Sequence, residues 1–317
     1  MRYLLTLTFA FLLFSTSYAW QEVSEEEFNA YKKLNDAETR LADFKDTDEI
    51  LRLKIAQVHK INAYRRQFKV QAVQLDIFAS RVANKMAKES ATEGYISHWN
   101  LAGEKPYHRY AFAGGYDHVT ENAYVRQSTG PVSKDLATTA ELMQFGLDNF
   151  MKEKAPYDGH KQNIIAPSHN HVGLGVFTAQ NQFSYYEEYL DRYLDFSSVP
   201  ATVQSKEDFT IVLSTQPGYY LYFASVYYEP FPKPMTVKEL SKTGGYPDFT
   251  DARMESRPPW ELAENRSGQQ YTLPFSFSKP GLYYIKLYIS DKEITKPQTA
   301  GTEGFDQASG IVIRVEK

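Results

Sequence analysis

Histidines, carboxylates and carboxamides stand together in three short segments of this chain. In chain order these are Ser97-His98, Glu121-Asn122, and a stretch from Gly159 to Asn163 that contains His160. Imidazole nitrogens and carboxylate oxygens from separate elements can converge on a divalent metal such as zinc. The same groups suit general acid–base chemistry, because the pKa of histidine lies near neutrality. The pattern indicates a polar site in which His98 and His160 are the candidate metal ligands.

Amphipathic segments around these residues predict the elements that hold them. Apolar residues recur at helical spacing, whereas a run that alternates apolar residues with glycine predicts a strand with a close backbone neighbour. The glycines and prolines between Ser97 and Thr120 predict loops. The predicted helices are an N-terminal one through Phe28, Tyr31 and Leu34, then Ile50 to Tyr64, one following Asp76, and Thr138 to Lys154; the predicted strands are Val172 to Phe177 and Tyr185 to Tyr193.

The order and spacing of five motifs resemble the CAP superfamily of cysteine-rich secretory, antigen-five and pathogenesis-related proteins. The motifs are Asn62-Ala63-Tyr64-Arg65, Ser97-His98, Glu121-Asn122, Gly159-His160 leading to Asn163-Ile164, and Val172-Gly173-Leu174-Gly175. The resemblance covers roughly residues 45–195 and fits the compact, bacterial type that lacks disulfides. It implies an α-β-α sandwich, because that is the fold of the family.

The resemblance also implies a central cavity lined by His98, Glu121 and His160. A further glutamate on the helix before the second histidine belongs to the family pattern, and Glu153, three residues after Phe150, matches it. Glu141 is the alternative for that position. Asn122 and Asn163 are included as cavity residues. Asn122 could instead cap or brace the backbone, and Asn163 could equally be a buried hydrogen-bonding residue rather than a ligand contact.

The chain beyond Pro200 changes character, since short strand-like runs alternate with proline and glycine. This predicts a mainly-β, antiparallel sandwich-like region, and with the first region an α+β protein. Paired tyrosines on these runs are either core residues or ligand contacts. The predicted division is a signal peptide at 1–19, a helical extension at 20–44, the CAP domain at 45–196 and the β-rich domain at 197–317.

Composition limits the classes of function. A net charge of −4 argues against a nucleic-acid partner, which favours a basic surface. Arg2, the apolar run from Leu4 to Phe14, and small residues at Ser17 and Ala19 predict a cleaved signal peptide, with no membrane span in the mature chain. The protein is therefore expected to be secreted, or periplasmic in a Gram-negative cell, and to fold without disulfides because cysteine is absent.

Two functions remain open at this stage. The first is an extracellular binding module for a lipid, a glycan or a protein, whose cavity holds a zinc-like divalent metal as a possible cofactor. The second is a metal-dependent extracellular hydrolase, in which the metal activates water. Binding is favoured, because the sequence contains no Gly-x-Ser-x-Gly elbow, no P-loop and no His-Glu-x-x-His motif.

Overall fold

A computed structural model describes residues 23–246, 253–297 and 305–317. The predicted signal peptide at 1–19 lies outside these residues. Across the described ranges, none of the helices combines the length and the apolar character needed to cross a membrane.

The helices begin at side chains that satisfy their free backbone N–H groups. Thr47, Asp76 and Asp135 each accept a hydrogen bond from the N–H three residues later, as N-cap residues do. Asp76 therefore starts the helix that was expected after it. The helices are α1 (Glu25–Ala37), α2 (Asp48–Gln67), α3 (Ile77–Glu93), α4 (Pro106–Phe112), α5 (Leu136–Lys152), α6 (Gly159–Ile164), α7 (Val237–Leu240) and α8 (Pro259–Glu264), with a 3₁₀ turn at Ala42–Phe44.

The first sheet has the strand order β1-β3-β4-β2. Strand β4 pairs antiparallel with both of its neighbours, and only the short β1 runs parallel to β3. Strand β4 is buried along its whole length, so both faces of the sheet are covered. The strands are β1 (Gln74–Leu75), β2 (His118–Gln127), β3 (His171–Ala179) and β4 (Gln182–Asp191).

Helices cover both faces of this sheet, which confirms the predicted α-β-α sandwich. On one face α3 lies against β3, and a Cβ on Gly175 would approach the backbone carbon of Ala83 to 2.1 Å. The glycine therefore allows the helix to approach closely. On the other face, α2 and α5 form an apolar core with the sheet through residues such as Leu51, Leu147 and Leu174.

Two elements differ from the sequence prediction. Residues 97–120 were expected to be loops, yet they contain α4 and the start of β2. Helix α4 begins at Pro106, a residue that fits the first turn because its missing N–H has no helical partner there. The polar residues of β2 obscured the strand pattern, because its buried positions include Glu121 and Asn122.

The rest of the chain is rich in strands, as predicted. Two sheets, β10-β11-β7-β5 and β6-β14-β12-β8-β9 with β13 beside β12, enclose an aliphatic and aromatic core. The placement of the domain boundary at 196/197 stays a prediction. The strands are β5 (Leu194–Ser198), β6 (Thr202–Gln204), β7 (Asp208–Thr215), β8 (Tyr220–Glu229), β9 (Arg253–Arg257), β10 (Arg266–Ser267), β11 (Gln270–Ser276), β12 (Gly281–Ser290), β13 (Asp306–Gln307) and β14 (Ile311–Glu316).

The two parts of the chain share a buried apolar cluster. Phe78 of α3 and Tyr107 of α4 pack in the same cluster as Tyr284 of β12 and Val312 of β14. The strand-rich part is thus fixed against the helical layer that lies next to the first candidate histidine.

Candidate functional site

His98 is held by Glu121 at the edge of the first sheet. Helix α3 ends at Gly94 in a left-handed conformation, and the chain then turns toward strand β2. The Nδ1 atom of His98 lies 2.8 Å from Oε1 of Glu121. The histidine side chain is 17% exposed, whereas the carboxylate is fully buried. The carboxylate orients the ring, so Nε2 is the nitrogen left for another partner.

Arg109 and Glu188 complete this cluster. Arg109, on α4, donates a hydrogen bond to Oε2 of Glu121 and another, of 2.6 Å, to the backbone carbonyl of His98. Glu188 is the residue directly opposite Glu121 in the β2–β4 pair. Its Oε1 lies 3.6 Å from the guanidinium of Arg109. One arginine thus serves two buried carboxyl groups.

The charges of the cluster follow from its burial. Burial, together with the negative charge of Glu121, raises the pKa of Glu188 well above its ordinary value, which favours its protonated form. Burial also raises the pKa of Glu121, against the opposing effect of Arg109. Burial and the positive charge of Arg109 lower the pKa of His98 to about 4, so its ring is neutral. Arg109 is therefore the cation that compensates the negative charge of the two carboxyl groups.

His160 is held in a similar way by a different carboxylate. Its Nδ1 lies 2.6 Å from Oε1 of Glu153, the residue that ends α5, and its backbone N–H donates to Oε2 of the same side chain at 3.1 Å. The ring also stacks on Phe150, with 4.6 Å between centroids. Glu141, the alternative to Glu153, is exposed to solvent.

The two candidate asparagines connect His160 to the sheet. Asn163 donates to the side-chain oxygen of Asn122 at 3.0 Å. Asn122 in turn donates to the backbone carbonyl of His160 at 3.1 Å and to Glu187 at 3.0 Å. Asn122 therefore braces the backbone, one of the two roles that the sequence left open for it. Tyr185 donates a further hydrogen bond to Glu187.

The two histidines approach β2 from opposite faces. Side chains alternate along a strand, so Glu121, which binds His98, points away from the face on which Asn122 binds His160. Within the described part of the chain, no group of three or more histidine, aspartate or glutamate side chains is placed to hold a metal ion. The arrangement instead gives each histidine its own carboxylate.

Three residues of the His98 cluster were not among the predicted site residues. No pattern singled out Arg109, whereas two adjacent glutamates in an otherwise aromatic strand could have indicated Glu188. Tyr246 had no such signal. Its ring lies 5.1 Å from that of His98, and its hydroxyl accepts a hydrogen bond of 3.2 Å from the backbone N–H of Glu121.

Ser97 does not pair with its neighbour His98. Its hydroxyl is 2.8 Å from that of Thr243 and accepts a bond of 3.0 Å from the N–H of Trp99. An activated serine would need its hydroxyl within reach of a base. The serine here is a structural contact with the strand-rich part of the chain.

A cleft of about 490 Å³ lies beside α1, away from the predicted site residues. Tyr31 and Phe78 form part of its wall, and Arg192 is a cationic residue that lines it. That arginine is already bound to Asp76 at 2.8 Å and to Asp117 at 3.0 Å. Since its charge is compensated, we assign the cleft no ligand.

Comparison with known proteins finds one family model that matches part of the chain. The model of the cysteine-rich secretory protein family, abbreviated CAP, matches residues 58–189. A comparison with curated protein sequences found no match.

Several solved structures are similar to this chain at low identity. An extracellular protein containing an SCP domain from Bacillus anthracis is 15% identical, over 47% of this chain and 51% of its own length, with a TM-score of 0.32. The chain therefore spans about half of that protein. An outer surface protein of Borrelia burgdorferi is 15% identical, over 44% of this chain and 92% of its own, with a TM-score of 0.33. The CAP domain of enterococcal PrgA is 13% identical, over 54% and 80%, with a TM-score of 0.31.

Proposed function

Because residues 58–189 form a CAP domain, we propose that this protein is an extracellular binding module rather than an enzyme. The predicted signal peptide at 1–19 supports the location. The ligand classes that we propose are a protein, a glycan or a lipid. The proposed binding site is the region around His98, on the face of strand β2 to which Glu121 points.

The observation that carries this proposal is the internal compensation of the His98 cluster. Arg109 forms an ion pair with Glu121, burial raises the pKa of Glu188 well above its ordinary value, and the pKa of His98 is about 4, so its ring is neutral. A general base must accept a proton near the working pH. A ring whose pKa is about 4 is a weak base, and the carboxylate beside it is occupied by arginine. Such a set suits hydrogen bonding to a ligand better than turnover.

The metal remains a proposal with an incomplete donor set. In both His98 and His160, the Nδ1 atom is hydrogen-bonded to a carboxylate. This contact suits a metal ligand, because it fixes the orientation of the Nε2 atom. The two rings lie on opposite faces of β2, and the described residues offer no third donor between them. We therefore derive no chemical step through a metal.

Binding and hydrolysis can be separated with the full chain. The purified protein would be tested against a glycan array, phospholipid and sterol vesicles, and fluorogenic ester and peptide substrates. We expect retention on one of the first two, or capture by an extracellular protein, and no turnover. Turnover that is lost in both His98→Gln and His160→Gln would show a hydrolase and overturn the proposal.

A further inference from the structure

A segment of the strand-rich part crosses the CAP domain beside His98. Residues 235–246, called the strap below, lie between strands β8 and β9 in the sequence. The backbone N–H of Met235 donates to the carbonyl of Leu101 at 2.8 Å. Just before it, Lys233 passes Gly103 so closely that a Cβ there would lie 2.2 Å from its carbonyl oxygen. The missing side chain of Gly103 thus leaves room for the backbone of Lys233, just before the strap.

The strap is anchored chiefly by Leu240, while Met235 and Val237 pack against the same apolar cluster from partly buried positions. Leu240 is completely buried and belongs to an apolar cluster with Met86, Tyr95 and Tyr186 of the CAP domain. Most neighbouring strap residues are exposed, and the short helix α7 is closed by its own capping box at Thr236. The strap therefore lies on the surface with only Leu240 fully buried. The surface that it covers, formed by Met86, Tyr95 and Tyr186, is called the groove below.

The end of the strap covers the histidine. Thr243 bonds to Ser97, and after Gly244 and Gly245 the ring of Tyr246 lies edge-on to the ring of His98. The hydroxyl of Tyr246 accepts a hydrogen bond from the backbone N–H of Glu121. The two glycines are exposed, and a Cβ added to either would meet nothing within 4 Å. Because glycine adopts a wider range of backbone angles than other residues, these two positions place little restriction on the backbone between Thr243 and Tyr246.

We propose that the strap is a displaceable cis-acting occupant of a peptide-binding groove, and that it shields His98 until a peptide with the same anchor spacing replaces it. The partner is then a protein segment with an aliphatic residue followed six positions later by tyrosine, as Leu240 precedes Tyr246. This inference rests on the proposed binding function, for which it names the ligand class and the regulation of access.

The first experiment locks the strap with a disulfide. The chain has no cysteine, and the hydroxyl oxygens of Ser97 and Thr243 are 2.8 Å apart, so the pair Ser97→Cys and Thr243→Cys can form one unambiguous bridge. Diethyl pyrocarbonate modification of His98, mapped by mass spectrometry, measures access. We expect oxidation to slow modification of His98 by about tenfold or more relative to the reduced form, because local opening governs access. His160 is the internal control and should react equally in both forms.

Equal rates of His98 modification in the oxidised and reduced forms would overturn the proposal that the strap shields His98. If the bridge does not form, two anchor variants decide instead. Leu240→Ala and Tyr246→Ala should each raise the rate at His98 by about tenfold, whereas the matched surface variant Lys238→Ala should not. No change in either anchor variant, in a protein whose circular dichroism matches the wild type, overturns the proposal equally.

The second experiment tests the groove itself. A labelled synthetic peptide with the sequence of residues 233–246 would be added to the Leu240→Asp variant and to the oxidised double-cysteine protein. Peptide concentrations up to about 1 mM are needed, because a tethered segment has an effective concentration in the millimolar range. We expect fluorescence anisotropy to show binding to the variant and none to the locked protein, with no binding of a scrambled peptide.

Absence of peptide binding to Leu240→Asp, together with an accessible His98, would refute the peptide groove. None of these measurements requires the natural ligand, because the added peptide has the sequence of the chain's own residues 233–246. A ligand search that finds nothing would therefore refute the proposed function and leave the strap intact, whereas an unprotected His98 would refute the strap alone.

Discussion

Tyr107 and Tyr284 stack face to face, with ring centroids 4.3 Å apart and 10° between their planes. The first belongs to α4 beside the first sheet and the second to β12 of the strand-rich part, and both are fully buried. Stacked aromatic rings bury a large apolar area and add a specific contact energy. The stack therefore couples the stability of the two parts.

Removal of one ring should destabilise the whole chain. Tyr284→Ala is expected to lower the free energy of unfolding by about 3–5 kcal/mol, since a large aromatic side chain is lost from a closed interior. Urea unfolding followed by circular dichroism measures the change. The control is Tyr157→Ala, because Tyr157 is 86% exposed and should cost less than about 0.5 kcal/mol. Equal effects of the two substitutions would contradict a coupled interface.

Glu229 forms a second contact between the parts. Burial alone would raise the pKa of this carboxyl group, but hydrogen bonds and charges from His108, Tyr107 and Lys105 lower it to about 2. Lys105 lies 3.0 Å from Oε2 of Glu229. The negative charge is thus stabilised in the folded state.

The stability that Glu229 contributes should depend on pH. A lowered pKa in the folded state gives a contribution that is complete above the ordinary value of 4.5 and disappears as pH falls toward 2. Glu229→Gln should therefore cost up to about 3 kcal/mol at pH 7 and progressively less in acid. Urea unfolding across this range tests it, with exposed Glu26→Gln as the control. A cost that stays constant with pH would show that the charge is unimportant.

Much of the fold could be predicted because it follows from local patterns. Helices α2, α3 and α5 lie where apolar residues recur at helical spacing, and β3 lies where glycine alternates with Val172, Leu174 and Val176. Strand β2 was missed because its buried positions include the polar Glu121 and Asn122. Its Glu121 and Asn122 find their partners on distant elements, and no local pattern reveals such partners.

The candidate site was predicted in part for the same reason. The motifs indicated His98, His160, Glu121 and Glu153 as single residues, but they could not show that the two histidines are on opposite faces of a strand. That fact depends on residues 118–127 forming a strand, because the adjacent Glu121 and Asn122 then point to opposite faces. Tyr246 is 148 positions after His98 and reaches it only because the strap returns across the groove. Tertiary packing alone creates that contact.

The glycine at position 175 should not tolerate a side chain. A Cβ there would lie 2.1 Å from the backbone carbon of Ala83 and 2.2 Å from its carbonyl oxygen, and backbone atoms cannot turn aside. Gly175→Ala is expected to cost more than about 3 kcal/mol, because α3 must move away from the sheet. Gly130→Ala is the matched control, since nothing lies within 4 Å of the added carbon. Thermal unfolding compares the two, and a stable Gly175→Ala protein would argue against the close packing of α3 on β3.

The neutral ring of His98 should make the protein sensitive to acid. Its folded-state pKa of about 4 is lower than the ordinary 6.5, so its contribution is complete above pH 6.5 and is lost as pH falls toward 4, where the unfolded chain takes up the proton first. His98→Gln should therefore make the decline in unfolding free energy shallower by up to about 1.4 kcal/mol per pH unit in that window. His59→Gln, at a partly exposed position, is the control. An unchanged slope in His98→Gln would show that the ring is not held neutral.

Zinc binding provides the last prediction, because it tests whether the two histidines act together. Imidazole must be neutral to bind a metal, and the low pKa of His98 keeps its ring available well below pH 6.5. We expect weak binding by isothermal titration calorimetry, which His98→Gln and His160→Gln each reduce in part, with effects that add within about 0.5 kcal/mol as for independent sites. If either substitution alone abolishes all binding, the two rings share one ion, and β2 does not keep them apart.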